Sequence, residues 1–168
     1  MSDDVEVRQA HPDEWETYRQ VRLSALADAP DAFASTLERE LALGEPDWRG
    51  RLTGAPCFLA WRDGLPLGTI TLLPCNPDND YGAPGASHIV AMWVDPIARG
   101  QGVADRLVDA AISQARQDEA RAVALWVFDA NERARAFYLK MGFRPTDVTM
   151  FQPHRPEDRE QLMIRELA

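Results

Sequence analysis

The alternation of apolar and polar residues divides the first part of the chain into one short strand and two helical stretches. Val5 to Gln9 alternates with the period of a strand. After Pro12, apolar residues recur at helical spacing, and this helix is expected to end near Pro30. Residues Ala32 to Leu52 form a second predicted helical region, which a glycine and a proline interrupt.

Two apolar runs in the middle of the chain predict an antiparallel hairpin. They span Cys57 to Trp61 and Leu67 to Leu73, and the Asp63-Gly64 pair between them is a strong turn signal. The following segment, Pro74 to Ser87, is rich in proline, glycine and asparagine, so we predict a long loop rather than a linker between domains.

The second half of the chain alternates predicted strands and helices. The predicted elements are a strand at Ile89 to Val94, a helix from about Gly102 to Glu119, a strand at Val123 to Phe128 and a helix from about Asn131 to Met141. A strand-helix-strand unit of this size predicts a parallel strand pair joined by a right-handed crossover. Two final strands are expected near Phe143 to Phe151 and Gln161 to Leu167, with a charged turn at Pro153 to Glu160 between them.

The junction between the Ile89 strand and the next helix has the layout of a phosphate-binding loop. Residues Arg99 to Ala104 read Arg-Gly-Gln-Gly-Val-Ala, and the two glycines allow backbone amides to approach a bulky anion. The helix that follows begins with amides that have no intrahelical partner and with a partial positive charge. Arg99 adds a full positive charge, so this junction suits a pyrophosphate.

Two different roles for this loop fit its residues less well. Arg99 could be an ordinary surface charge, but glycines on both sides of Gln101 weaken a helix start unless close backbone approach is needed. A dinucleotide-binding motif would place its third glycine at Asp105, which puts a negative charge at a phosphate site. Phosphate binding at the helix start is therefore the favoured interpretation.

Two separated motifs make the chain resemble the GNAT superfamily of N-acetyltransferases. Arg99, Gly102 and Ala104 match the Arg-x-x-Gly-x-Ala signature for acetyl-coenzyme A. The segment from Asn131 to Phe143 is similar to a second family element, Asn-x-x-Ala-x-x-x-Tyr-x-x-x-Gly-Phe. The informative motifs lie within residues 92–143.

The resemblance implies a fold and a set of cofactor contacts. The expected fold is α/β, with a mixed, mostly antiparallel sheet of about six to seven strands, about four flanking helices and one splayed parallel strand pair. A single domain would span residues 1–168. The residues expected to contact acetyl-CoA are Met92, Trp93, Val94, Arg99, Gly100, Gln101, Gly102, Val103, Ala104, Asn131 and Tyr138.

Direct acetyl transfer needs an acid for the departing thiolate, and the resemblance assigns this role to Tyr138. A phenol with a pKa of ~10 can protonate an alkyl thiolate. By spacing alone, Tyr138 would instead belong to an apolar helix face with Phe137 and Met141. The resemblance also implies that a backbone amide at Met92 to Val94 stabilises the oxyanion. Asn131 could contact the cofactor, cap a helix, or do both.

The general base has no clear candidate in the sequence. Family members often carry a glutamate in the strand before the cofactor loop, but no carboxylate lies between His88 and Val94. His88, Glu38 and Glu40 are candidates, and a water chain to a remote carboxylate is another.

Composition and charge narrow the function further. The chain has 168 residues, 45% of them hydrophobic, which is enough for one substantial core. Its net charge of −9 argues against a general nucleic-acid binder and is compatible with a cationic acceptor. Two cysteines predict no disulfide framework, and we expect no metal. No segment approaches the ~20 apolar residues of a membrane span, so a cytoplasmic protein is expected.

These observations predict an acetyl-CoA-dependent N-acetyltransferase that acts on a small amine or a peptide amine by direct attack in a ternary complex. We expect neither nucleic-acid nor membrane partners, and a homodimer is one expected state because family members often form dimers. The alternative is a noncatalytic GNAT-like module that binds coenzyme A or a protein partner.

Overall fold

The computed structural model describes residues 4–153 and 155–168, and these residues form seven strands and five α-helices. The strands are β1 (Glu6–Gln9), β2 (Cys57–Arg62), β3 (Leu65–Leu73), β4 (Ala86–Val94), β5 (Ala122–Phe128), β6 (Arg144–Gln152) and β7 (Arg155–Glu166). The helices are α1 (Trp15–Asp28), α2 (Leu37–Leu41), α3 (Glu45–Gly54), α4 (Val103–Gln117) and α5 (Glu132–Lys140). The predicted strands and helices are therefore found in the predicted order.

The sheet is mixed and mostly antiparallel, as predicted. Its strand order is β1-β2-β3-β4-β5-β7-β6. Strands β4 and β5 form a parallel pair, with Ala86 opposite Ala122 and Ile89 opposite Leu125. The pairings of β1 with β2, β2 with β3, β5 with β7 and β6 with β7 are antiparallel.

The predicted hairpin turn is confirmed in detail. Strands β2 and β3 are joined by Asp63 and Gly64, which have φ angles of 51° and 77°. Positive φ at both central residues matches the right-handed twist of paired strands, and aspartate and glycine are among the residues that tolerate it best.

Two predicted boundaries are wrong. The predicted charged turn at Pro153 to Glu160 is largely part of β7, which begins at Arg155, and His154 in that segment lies outside the described residues. Arg159 pairs with Phe151 across the ladder, so bonding to β6 outweighs the low strand propensity of the charged residues. Strand β4 also begins at Ala86, three residues before the predicted start, because Ala86 already pairs with β5.

The chain divides into two compact units. The first contains residues 4–72 and 91–111, and the second contains residues 73–90, 112–153 and 155–168. Trp48, Leu26 and Leu59 lie in the core of the first unit, whereas Ala124 and Leu162 lie in a core cluster of the second. A single domain over residues 1–168 stays a prediction.

The first unit contains a buried ion cluster. Glu40 on α2 accepts hydrogen bonds from Arg22 on α1, with Nε–Oε2 and Nη2–Oε1 distances of 2.8 and 3.2 Å. Arg51 on α3 donates from Nη2 to Glu40 Oε1 at 3.0 Å. Burial alone would raise the pKa of the Glu40 carboxyl, but the two arginines outweigh it and lower this pKa. One carboxylate thus links three helices.

Replacing Glu40 by glutamine is expected to lower the free energy of unfolding by about 3 kcal/mol at pH 7, because two partly buried guanidinium groups lose their counter-charge. The pKa of Glu40 is below its ordinary value of 4.5 in the folded protein, so its contribution is complete above that pH and declines below it. The difference between wild type and Glu40→Gln should therefore narrow as the pH falls below 4.5.

Urea denaturation at pH 7 and at about pH 3.5 to 4 measures the difference in unfolding free energy between wild type and Glu40→Gln. The acidic range lies up to about one pH unit below the ordinary carboxyl pKa. The exposed neighbour variant Glu38→Gln is the control, and its effect should stay within about 0.5 kcal/mol. Equal effects of the two substitutions would contradict a stabilising role for the cluster.

Candidate functional site

Strand β4 continues to Val94 but has a backbone irregularity at Ala91, just before the residues that the sequence assigns to the reaction centre. Ala91 has a φ of 56°, a left-handed conformation that costs a residue with a Cβ about 1 kcal/mol. The parallel ladder with β5 ends two residues earlier, at Ile89. The strand predicted at Ile89 to Val94 is present within β4, but no residue type in it signals the irregularity at Ala91. The role of the Met92 to Val94 amides as oxyanion donors stays a prediction.

The Trp93 side chain is occupied by a structural contact. Its indole Nε1 donates to Asp28 Oδ2 at 2.9 Å, and Asp28 is the last residue of α1. Gly68 on β3 lies against the Trp93 carbonyl, where a Cβ would be only 2.7 Å from the oxygen. The indole was the one side chain of this stretch that could have served as an oxyanion donor, so its pairing favours a backbone donor.

The predicted phosphate loop has open space beside its two glycines. Gly100 and Gly102 have φ angles of 75° and 80°, and a Cβ built on either would meet no atom within 4 Å. Among the described backbone bonds, Arg106 N–H donates to Gly102 O at 3.2 Å at the start of α4. The amides of Val103 and Ala104 precede that bond and have no intrahelical acceptor. The loop therefore fits a bulky anion at a helix N-terminus.

The Arg99 guanidinium makes two structural contacts, and its role as a phosphate ligand stays a prediction. Its Nε donates to the carbonyl oxygen of Val94 at 3.0 Å, and its Nη2 donates to Asp28 Oδ2. Hydrogen bonds from Trp93 and then Arg99 lower the pKa of the Asp28 carboxyl, so this carboxylate carries a charge that neutralises Arg99. Sequence reasoning did not identify Asp28, because it lies 71 positions from Arg99.

Gln101 has a fixed side chain. Its Nε2 donates to Ile97 O at 3.0 Å, and its Oε1 accepts from Arg62 Nη1 at 2.7 Å. Arg62 ends strand β2, and no pattern in the sequence indicates that it reaches the loop.

The Tyr-x-x-x-Gly-Phe motif has a structural explanation in the second unit. Gly142, with a φ of 91°, ends helix α5 in the left-handed conformation. Phe143 N–H donates to Tyr138 O at 3.0 Å and Gly142 N–H donates to Leu139 O at 3.1 Å, which together form a Schellman motif. The fully buried Phe143 ring then packs edge-on against Tyr138, with the ring centroids 5.7 Å apart. The motif therefore fixes the position of the Tyr138 ring.

Burial raises the pKa of the Tyr138 phenol. The side chain is thus protonated at neutral pH, as a general acid must be before the transfer. It is also a weaker acid than the free phenol assumed from the sequence.

Asn131 caps helix α5. Its Oδ1 accepts from Ala134 N at 3.1 Å, which satisfies one of the free amides at the helix start. Of the two roles that the sequence allowed, capping is present in the structure, and cofactor contact stays a prediction.

His88 is buried in the second unit. Its Nε2 lies 3.0 Å from the Asp80 carbonyl oxygen, which can only accept, so this nitrogen carries the proton. The Tyr81 ring packs against the imidazole with a centroid distance of 5.1 Å. Burial lowers the pKa of His88 despite the favourable Asp80 contacts, so the ring is neutral at pH 7 and a weaker base than free histidine.

The two glutamates that the sequence offered as bases differ in their surroundings. Glu40 is buried, both of its oxygens accept from arginines, and its lowered pKa makes it a poor proton acceptor. Glu38 is exposed on α2. The structure therefore gives Glu40 a stabilising role.

Within the described ranges, no helix is both long enough and apolar enough to cross a membrane. In the same part of the chain, no three His, Cys, Asp or Glu side chains are grouped as a metal site.

The fold and the helix-terminal loop define a protein of the acetyltransferase type, and the comparison with protein families agrees. Residues 9–143 match the acetyltransferase (GNAT) family. The chain belongs to this family.

The chain is also similar to individual known proteins. The chain is 32% identical over 91 residues to an uncharacterised N-acetyltransferase of Methanocaldococcus jannaschii, a match that covers 54% of this chain and 40% of that protein. A GNAT-family acetyltransferase structure from Streptococcus pneumoniae aligns with a TM-score of 0.78 and 16% identity, over 98% of this chain and 100% of the other. A putative acetyltransferase from Salmonella typhimurium, solved with its cofactor acetyl-CoA, aligns with a TM-score of 0.76 and 16% identity, over 98% and 95% of the two chains. These structures share the fold.

The buried His88 is expected to make stability depend on pH. Its pKa in the folded protein is below the ordinary value of 6.5, so the unfolded chain takes up a proton first as the pH falls. Replacement by glutamine preserves a donor to Asp80 and removes this titration. The stability of wild type should therefore fall more than that of His88→Gln between pH 7.5 and 5.5, one unit on either side of the ordinary histidine pKa of about 6.5.

Urea denaturation midpoints of both proteins at these two pH values measure the effect. At pH 7.5, about one unit above that pKa, histidine is largely neutral, so the difference between the two proteins there reports any packing change caused by the substitution. This difference is subtracted from the one at the lower pH. Parallel losses in the two proteins would show that His88 does not titrate differently on folding.

Proposed function

We propose that this protein is an N-acetyltransferase that moves an acetyl group from acetyl-CoA to a primary amine by direct attack in a ternary complex. Membership of the GNAT family supports acetyl transfer in general. The observation that carries the proposal is the glycine loop, which has open space at Gly100 and Gly102 and leads into the first amides of α4, which have no acceptor within the helix.

The residues of the loop fit the pyrophosphate of coenzyme A. An anion of this size needs several donors that approach it without side-chain hindrance, and the two left-handed glycines provide that access. The amides of Val103 and Ala104 and the positive end of the α4 dipole would bind the anion. Arg99 would support the loop through Val94 rather than by contributing a free charge, because Asp28 already neutralises it.

Tyr138 is the proposed acid. When the amine nitrogen attacks the thioester carbonyl carbon and the carbon–sulfur bond breaks, the phenol would donate its proton to the departing thiolate. Its raised pKa keeps that proton in place until the thiolate forms. The negative charge on the carbonyl oxygen would be stabilised by a backbone amide of Met92 to Val94.

The proton of the attacking ammonium must also be removed. The buried, doubly paired Glu40 is unsuited to this step, and the lowered pKa of His88 makes it a weak base. Glu38 or a water chain that leads to a remote carboxylate would therefore serve better. We infer that the acceptor is a small amine or a peptide amine.

A noncatalytic module that binds coenzyme A or a protein is the second candidate. The observation that favours it is the absence of a carboxylate from the described strand β4, which ends at the cofactor loop. Turnover with a panel of amines distinguishes the two functions, because only the enzyme releases free thiol in an amine-dependent reaction.

Calorimetric titration of the purified protein with acetyl-CoA and with free coenzyme A tests the shared part of both proposals. Micromolar binding is expected for wild type, with Kd values of about 1–100 µM. Gly102→Glu should weaken binding by about 100-fold, because the carboxylate would occupy the space of a phosphate and repel it. The left-handed φ of Gly102 makes the substitution cost about 1 to 2 kcal/mol of stability, too little to unfold a typical domain.

Gly50→Glu adds the same charge on helix α3 at a position where a Cβ meets no atom within 4 Å, so it is the matched control. A folded wild-type protein that binds neither ligand would rule out the acetyltransferase and the module that binds coenzyme A, and would leave only a module that binds a protein.

Tyr138→Phe is expected to slow acetyl transfer by about 100-fold or more, because the general acid is lost. Coenzyme A affinity should change by less than about twofold, since the ring and its packing against Phe143 remain. Thiol release under steady-state conditions and calorimetry measure the two quantities. Tyr81→Phe removes the hydroxyl of an exposed tyrosine and should leave the rate unchanged. An unchanged rate in Tyr138→Phe would remove this residue from the mechanism.

A further inference from the structure

The fixed side chain of Gln101 connects the candidate phosphate loop to the end of a distant hairpin. Gln101 Nε2 donates to Ile97 O, which orients the amide so that Oε1 accepts from Arg62 Nη1 at 2.7 Å. Arg62 lies 39 positions earlier in the sequence, at the end of β2 and beside the tight Asp63-Gly64 turn. The contact thus places a guanidinium group at the side of the loop.

The bonding partner of this guanidinium differs from those of three other arginines in the first unit. Arg99 is paired with Asp28, Arg8 with Glu14 at 2.8 Å, and Arg106 with Asp4 at 3.5 Å. Arg62 instead bonds the neutral amide oxygen of Gln101. A neutral acceptor orients a guanidinium without cancelling its charge, so Arg62 keeps its full attraction for an anion.

Coenzyme A carries two separate anionic groups, its pyrophosphate and the 3′-phosphate on the ribose. The amides and the dipole at the start of α4 suit the pyrophosphate, which then has several donors. Arg62 contacts the loop at the side chain of Gln101 and not at the first amides of α4. We propose that Arg62 binds the 3′-phosphate of coenzyme A, with Gln101 as the residue that positions it. This inference rests on the proposed function of the loop.

The choice of the 3′-phosphate follows from its chemistry. A terminal phosphate monoester carries nearly two negative charges at neutral pH and presents several acceptor oxygens. The planar fork of an arginine can bind two such oxygens at once. Arg62 therefore distinguishes coenzyme A from an otherwise identical ligand that lacks this group.

Calorimetric titration of the full chain with coenzyme A and with 3′-dephospho-coenzyme A at one fixed ionic strength tests the proposal. Wild type should bind coenzyme A about tenfold more tightly than the dephospho form, as expected for one charge-assisted hydrogen bond pair. Arg62→Gln should weaken coenzyme A binding by about tenfold and leave binding of the dephospho form within about twofold. Arg39→Gln removes an exposed positive charge elsewhere in the first unit and should preserve the wild-type preference.

The remaining outcomes contradict the proposal in distinguishable ways. Equal weakening of both ligands by Arg62→Gln would assign Arg62 to the pyrophosphate, and no weakening of either would make it an ordinary surface residue. Tight, equal binding of the two ligands to wild type would overturn the role of Arg62 while leaving the proposed acetyltransferase intact. Binding of neither ligand to the folded wild type would overturn both.

Discussion

Parallel pairing between β4 and β5 is the constraint on which the candidate cofactor site depends. Two parallel strands cannot be joined by a tight turn, so the chain must cross over, and helix α4 makes that crossover. The helix consequently begins a short distance after the end of β4, and its first amides have no partner within the helix. In the proposed function, Gly100 and Gly102, both with positive φ, would let an anion reach those amides. The position of the loop before α4 thus follows from the topology of the sheet.

Ion pairing distinguishes several arginines of the first unit from Arg62, which we propose as a ligand contact. Glu40 balances the arginines of two neighbouring helices, and a buried carboxylate with such partners contributes to stability rather than to proton transfer. Asp28 does the same for Arg99, although the sequence motif marks Arg99 as a cofactor residue. A guanidinium bonded to a neutral oxygen, as in Arg62, is oriented without being neutralised. The motif locates the glycine loop, and the partners of each side chain would decide which charge a bound phosphate experiences.

The position of Tyr138 depends on how helix α5 ends. The Schellman motif at Gly142 turns the chain so that Phe143 packs on the Tyr138 ring, and the same burial raises the pKa of the phenol. In the proposed reaction, a departing thiolate that is also removed from water would have a raised pKa as well. The pKa values of the phenol and of the thiol would then both be raised and would stay close enough for proton transfer. Their pKa values in water do not reveal this.

The sequence by itself determined the order of strands and helices, the Asp63-Gly64 turn, the parallel pair and the glycine loop. These features depend on local periodicity and on residues whose backbone preferences are strong, so neighbouring residues are enough to specify them. The tertiary structure alone decided the extent of β7, the left-handed Ala91, and the partners of Arg99, Glu40 and Arg62. Such features depend on bonds between residues far apart in the chain, where the pairing of one backbone or side chain with another outweighs local propensity.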